Sequence, residues 1–176
     1  MGIDAAIIHA HLIEVSSAPN TDAQGRAYEA LVAYIFGEVP GCRVERDVMN
    51  EFRTEQVDVA VGNDRVPGGF PMLPSVMLAE CKDWSRPVDS ATMGYFINTL
   101  ANRSVELGVL VAANGITGQE DRMHAAALGY AAASRGIKLI VLTTEDLGRL
   151  KSTADFIDML SRRYLRAVAS GTVGLP

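Results

Sequence analysis

The spacing of apolar residues divides the chain into helical and extended segments. Ala5, Ile8, Leu12 and Val15 recur at helical intervals and predict an amphipathic helix over residues 1–15. Pro19 and Asn20 interrupt that pattern, so Ser16–Ala23 reads as a loop. From Asp22 to Phe36 a second stripe, Ala27, Leu31, Tyr34 and Ile35, predicts another helix, which Gly37, Pro40 and Gly41 bring to an end. Arg43–Asn50 has extended character and is more polar than the next extended segment. Across that segment, Glu55–Gly62, the alternation is strict: Val57, Val59 and Val61 fall on one face, and Gln56, Asp58 and Ala60 on the other. Asn63–Pro74 is rich in Gly and Pro and reads as a loop, whereas Val76–Lys82 is apolar on both faces until its end, which suits a central strand.

Pro87 then breaks the chain, and Asp89 or Ser90 can cap a helix running to about Val105. Gly108–Ala113 is expected to be a short buried strand. Thr117-Gly118-Gln119-Glu120 has the form of a capping box opening a helix to about Arg135, and Gly136 separates that helix from a strand at Ile137–Leu142. Thr144 is expected to cap another helix start, Ala154–Val168 to form the last helix, and Ala169–Pro176 to fray. The short connections among the first three strands predict an antiparallel meander. The later β-α-β segment requires a right-handed crossover between parallel strands. The expected fold is therefore α/β, a central mixed β-sheet flanked by helices.

Composition narrows this picture more than it extends it. The 176 residues suit one domain, divided into an N-terminal helical extension (1–20), a core (21–147) and a C-terminal helix and tail (148–176). With 48% apolar and 21% charged residues the balance is that of an ordinary globular protein. No window approaches the roughly 18 apolar residues of a membrane span. No basic start followed by an apolar stretch and a cleavage site marks a signal peptide, so the expected location is cytoplasmic and no membrane partner is expected. Cys42 and Cys81 lie far apart without a CxxC spacing, which argues against a disulfide framework or a cysteine zinc site. The net charge of −5 argues against a broad nonspecific nucleic-acid surface. It is compatible with a local basic face, or with a cleft whose carboxylates are neutralised by metal.

The chemistry concentrates at Glu80-Cys81-Lys82, the end of the expected central strand. Residues i and i+2 of a strand share a face, so Glu80 and Lys82 emerge side by side and Cys81 turns the other way. Asp58 on the neighbouring strand would complete two carboxylates and one ammonium around a point, an arrangement suited to a divalent metal beside a phosphate. A hard cation such as Mg²⁺, with Mn²⁺ as a substitute, prefers oxygen ligands and keeps several waters, so two carboxylates suffice. Such a cation acidifies a bound water and polarises the phosphate. Lys82 would orient or deprotonate that water, or stabilise the developing charge, and nearby metal would favour its neutral form.

An Asp on the second strand, some twenty residues before a Glu-x-Lys on the third, resembles the PD-(D/E)XK restriction-endonuclease-like superfamily. The helix segment Gly25-Arg26-Ala27-Tyr28-Glu29 looks like the opening helix of its Mrr-like branch, and so does Gly108–Ala113 with the Asn114-Gly115-Ile116-Thr117 turn and Ala-rich stretch after it. The resemblance spans roughly Thr21–Leu147. Val57 stands where the name-giving Pro would be, and the separate DNA-recognition domain of larger relatives has no counterpart here. The resemblance implies a restriction-endonuclease-like fold and a Mg²⁺-dependent endonuclease acting on DNA. Asp58, Glu80, Lys82 and Glu29 would be its catalytic residues. Asp58, Glu80 and the Cys81 backbone carbonyl would bind metal, with Glu29 on a metal-bound water or a second ion.

Other residues have competing readings. Arg26, one turn before Glu29, can pair with it, touch a phosphate, or simply be a surface arginine. Trp84 can stack on a base or pack under the next helix. Arg162, Arg163 and Arg166 cluster on the last helix, where they can meet nucleic acid or complement the helix C-terminus. Asn114–Thr117 with Gln119–Arg122 fits a helix cap better than a phosphate cradle, and His9, His11 and His124 lack metal-ligand spacing. The scattered Met residues read as core filler. Two alternatives stay open: a catalytically silent module of this fold that binds a protein or nucleic acid, and a nuclease acting on RNA. Cutting both strands of a duplex with one such site calls for two strikes or two subunits, so a homodimer is expected.

Overall fold

The computed structural model describes residues 2–49, 56–82, 87–115, 127–128, 131–171 and 173–174. Two helices lead, α1 (Ala5–Ser17) and α2 (Thr21–Gly37), and strands β1 (Cys42–Met49), β2 (Gln56–Asn63) and β3 (Val76–Lys82) come next. Helix α3 (Ser90–Asn102) connects β3 to β4 (Leu107–Ala112), and β5 (Lys138–Leu142) precedes the short helix α4 (Thr144–Gly148) and the long helix α5 (Thr153–Ser170). The expected Thr117–Arg135 helix falls mostly outside the described residues.

The five strands lie in sequence order, β1-β2-β3-β4-β5. β1, β2 and β3 pair antiparallel, and β3, β4 and β5 pair parallel. This is the mixed sheet the sequence predicts. One face carries α1, α2 and α5 over Val59, Val61, Met77, Ala79, Cys81, Val109, Val111, Ile140 and Leu142. The other carries α3 over Leu78, Leu110, Ala112, Leu139 and Val141. Alternating residues of β3, β4 and β5 thus feed two cores, and both faces of this half are buried, as parallel strands require.

Local chemistry sets the element ends. Asp4, Asn20, Asp89 and Ser152 cap α1, α2, α3 and α5 with side-chain oxygens that accept helix N–H groups. Helix α4 is capped by Thr143, one residue before the position expected, in a reciprocal capping box with Asp146. Asn63 ends β2 with its amide buried against the carbonyls of Phe70, Leu73 and Pro74, which organises the Gly/Pro-rich loop from inside. Gly108 lets α3 press onto β4, since a Cβ there would lie 2.4 Å from Leu100.

Among the described residues of the tail, Val173 and Gly174 are held against the sheet, where the sequence predicts fraying. Gly174 forms a parallel bridge to Ile140, its N–H donating to the Leu139 carbonyl (2.8 Å) and its carbonyl accepting from Val141 (3.0 Å). Backbone pairing and the burial of Val173 hold it there. Among the described residues no helix is long and apolar enough to cross a membrane.

Candidate active site

Helix α2 brings Glu29 to the sheet. Its buried stripe is Ala27, Tyr28, Leu31, Val32, Ile35 and Phe36; Tyr28 is turned fully inward, and the expected Tyr34 packs half-buried against the same core. The Tyr28 hydroxyl bonds the Thr144 hydroxyl and ties α2 to the start of α4. Burial above all pushes the Tyr28 phenol up to about 12, so it stays protonated. Glu29, the next residue, is carried under the same surface and is 9% exposed. Its Oε2 is buried without a hydrogen-bond partner, and the Arg46 guanidinium lies 3.6 Å away, beyond hydrogen-bond reach.

Strands β2 and β3 part company at the site. Their ladder runs from Gly62↔Val76 to Val59↔Ala79 and stops there, one step short of joining Asp58 to Glu80. The Asp58 side chain takes over, its Oδ2 accepting the Cys81 N–H at 2.7 Å. A carboxylate thus satisfies a buried amide that a regular ladder would pair with backbone, which avoids a penalty of about 1–3 kcal/mol. Strict alternation would put Val57 with Val59 and Val61. Instead Val57 joins the α3-side core, while Val59 and Val61 stay on the α2 side. The strand turns over at Asp58, which then reaches sideways into the gap between strands.

Glu80 and Lys82 do emerge side by side, with Lys82 Nζ 2.9 Å from Glu80 Oε1. Burial, then the nearby Asp58, pushes the Glu80 carboxyl up to about 7. Burial likewise raises Asp58, against the opposing pull of the Cys81 N–H and Lys82, and raises Glu29 with help from Asp58 and Asp47. Burial disfavours the Lys82 ammonium, but Glu80 and Asp58 outweigh it and hold its pKa above the ordinary value. These two carboxylates favour the ammonium form of Lys82, whereas the expected neutral form concerns a lysine beside bound metal. Burial raises the Cys81 thiol well above its ordinary range, so the sulfur stays protonated and only its backbone is available as an oxygen donor.

A cleft of about 440 Å³ opens over the site, lined by Thr21, Asp22, Gly25, Arg26 and Glu29 from α2, by Asp47, Gln56 and Asp58 from β1 and β2, and by Cys81 and Lys82. The predicted residues Asp58, Lys82, Glu29 and Arg26 meet there, and Glu80 borders it through Lys82. Arg26 lines the cleft, but among the described residues the cation beside Glu29 is Arg46, which also donates to the Arg26 carbonyl at 3.1 Å. The sequence pattern does not single out Arg46 or Asp47. Asp47 has φ 55°, bonds Gln56 Nε2 at 2.9 Å, and helps raise both Glu29 and Asp58. Its only sequence signal is an acidic residue in an exposed strand, which is too common to mark a site.

Other expectations resolve differently. Arg163 is buried, with paired bonds to Asp146 (2.8 and 2.6 Å) and one to the Val141 carbonyl (2.7 Å), so it is unavailable to nucleic acid. Arg162 pairs with Asp158 on its own helix. Trp84, the Thr117–Glu120 capping box and His124 lie outside the described residues.

The donor set fits a hard divalent cation on one observation, the cleft that brings the Asp58 and Glu29 carboxylates together, with Glu29 Oε2 buried beside Arg46 and lacking a hydrogen bond. Among the described residues no three His, Cys, Asp or Glu side chains form a metal cage by themselves. The available set is two carboxylates, a backbone carbonyl and water, as Mg²⁺ accepts. No family model matches the chain, and no curated protein matches it.

Proposed function

We propose that this chain is a metal-dependent nuclease of the restriction-endonuclease-like type that hydrolyses DNA phosphodiester bonds. The supporting observation is the meeting of Asp58, Lys82 and Glu29 in one cleft, with Glu80 ion-paired to Lys82 at its border. Asp58, Glu80 and the Cys81 carbonyl would hold Mg²⁺ or Mn²⁺. The cation would supply an acidified water and a polarised phosphate. Lys82, paired with Glu80 at 2.9 Å, would orient the attacking water or place positive charge beside the phosphoryl oxygens as the transition state forms. Glu29 would orient a water through Oε2, which makes no hydrogen bond within the protein.

Purified protein incubated with plasmid, linear duplex and single-stranded DNA, with Mg²⁺ or Mn²⁺, tests the reading. Cutting that needs the cation and disappears in Asp58→Ala and Lys82→Ala is the expected result. Cutting that survives both variants removes the site assignment. Matched RNA and DNA oligonucleotides, run side by side, separate the RNA reading. Calorimetric cation binding without any cutting would instead indicate a silent binding module, which the net charge of −5 favours.

A further inference from the structure

The β1–β2 ribbon turns over at one level. In β1, Val44 packs with the α2-side core and Val48 with the α3-side core, although both are even-numbered and belong on one face of a regular strand. In β2, Val59 and Val57 make the same exchange. The register is unbroken, with Arg46↔Val59 and Val48↔Val57 flanking the change, so no residue has been inserted. Asp47 and Asp58 lie opposite each other between those pairs and form no ladder pair themselves. Asp47 is the β1 residue with a left-handed backbone, φ 55°. Asp and Asn tolerate this region better than most residues, and β-branched residues hardly at all.

We propose that Asp47 is a positioning residue: its left-handed backbone turns the ribbon over and thereby sends Asp58 sideways to the Cys81 amide and the cleft. The inference rests on the assignment of Asp58 as a cation ligand, and it adds a residue at the cleft wall that acts through Asp58. The Gln56 side chain steadies this geometry by bonding Asp47 Oδ1. With a residue at 47 that insists on extended backbone, the ribbon regularises, Val57 returns to the α2 face, and Asp58 is drawn away from Cys81.

The test compares Asp47→Asn, which accepts positive φ and keeps an oxygen for Gln56, with Asp47→Val, which resists that backbone. Two readouts are taken: hydrogen exchange of the Cys81 amide by NMR, and Mg²⁺ affinity by calorimetry. Asp47→Asn should stay within about threefold of wild type in both. Asp47→Val should exchange Cys81 at least about tenfold faster and bind Mg²⁺ about 10–100-fold more weakly. If Val is no worse than Asn, the backbone role is wrong, and if both are equally impaired the Asp47 carboxylate matters instead. Should Asp47→Val fail to fold, Asp47→Asn against Asp47→Ala repeats the contrast. A wild type that neither binds Mg²⁺ nor cuts DNA sinks the nuclease reading, while the Cys81 exchange contrast still decides the positioning role.

Discussion

The two halves of the sheet handle side-chain alternation in opposite ways. In β3, β4 and β5 successive residues point to opposite faces without exception from Met77 to Cys81 and from Leu107 to Ala112. In β1 and β2 the alternation fails at Asp47 and Asp58, and β1 is largely exposed. The regular half is where folding free energy accumulates, because nearly every position buries apolar area. The irregular half is where polar groups are brought into contact, because a turned-over strand can aim a carboxylate into the plane of the sheet. Asp58 sits on the seam between them.

The largest effect expected from breaking this contrast is chemical. Asp58→Asn keeps an oxygen for the Cys81 N–H but loses the charge, so the proposed DNA cutting should fall about a thousandfold or more, near 4 kcal/mol of barrier, with the thermal midpoint almost unchanged. Unimpaired cutting by this variant would separate Asp58 from the chemistry. Stability should show the opposite distribution. Leu110→Ala in β4 removes a fully buried side chain and should cost about 2–5 kcal/mol. Val44→Ala in the half-exposed β1 should cost under about 1 kcal/mol. Urea midpoints compare them, and equal losses would dissolve the distinction between the halves.

A smaller effect concerns protons. Glu80 titrates near 7 in the folded chain against an ordinary 4.5, so between those values the folded state holds more protons than the unfolded one. Stability from this group is present below pH 4.5 and is lost as pH rises through about 7. Glu80→Gln should remove that dependence, gaining on the order of 2 kcal/mol over wild type near pH 8 in the absence of divalent cations. Denaturation curves at pH 5 and pH 8 check it; a Gln variant that loses ground at pH 8 contradicts the burial account. The smallest effect belongs to Arg46, which lowers the Glu29 pKa against burial. Arg46→Gln should cost under about 1 kcal/mol while the NMR titration midpoint of Glu29 rises. A midpoint that stays put would mean the two groups do not interact.

Legibility in the sequence divides along the same seam. The apolar run alone bounds β3 at Val76 and Lys82, and connection lengths suffice for the pairing directions of the strands. Glu80 and Lys82 are readable because period-2 geometry holds in the regular half. Asp58 stands out as a candidate, but its face does not, because strict alternation in the sequence does not reveal a turned-over strand. The left-handed backbone of Asp47 leaves no trace in residue type beyond mild tolerance. Arg163 looks like a surface cation because Asp146, seventeen positions earlier, is a partner that only tertiary structure supplies. The tail looks free because Gly174 pairs through backbone, which carries no sequence signature.

That backbone clip bears on how the protein behaves in concentrated solution. The outward groups of an edge strand are a template on which other chains can add. Gly174 occupies those of Leu139 and Val141, and the Arg163 carbonyl lies only 2.7 Å from where a Cβ would stand, so the fit is reserved for glycine. A bulky replacement there, or removal of residues 173–176, would uncover a hydrophobic strand edge. Its first symptom would be clumping, seen by light scattering at concentrations where the intact chain stays dispersed.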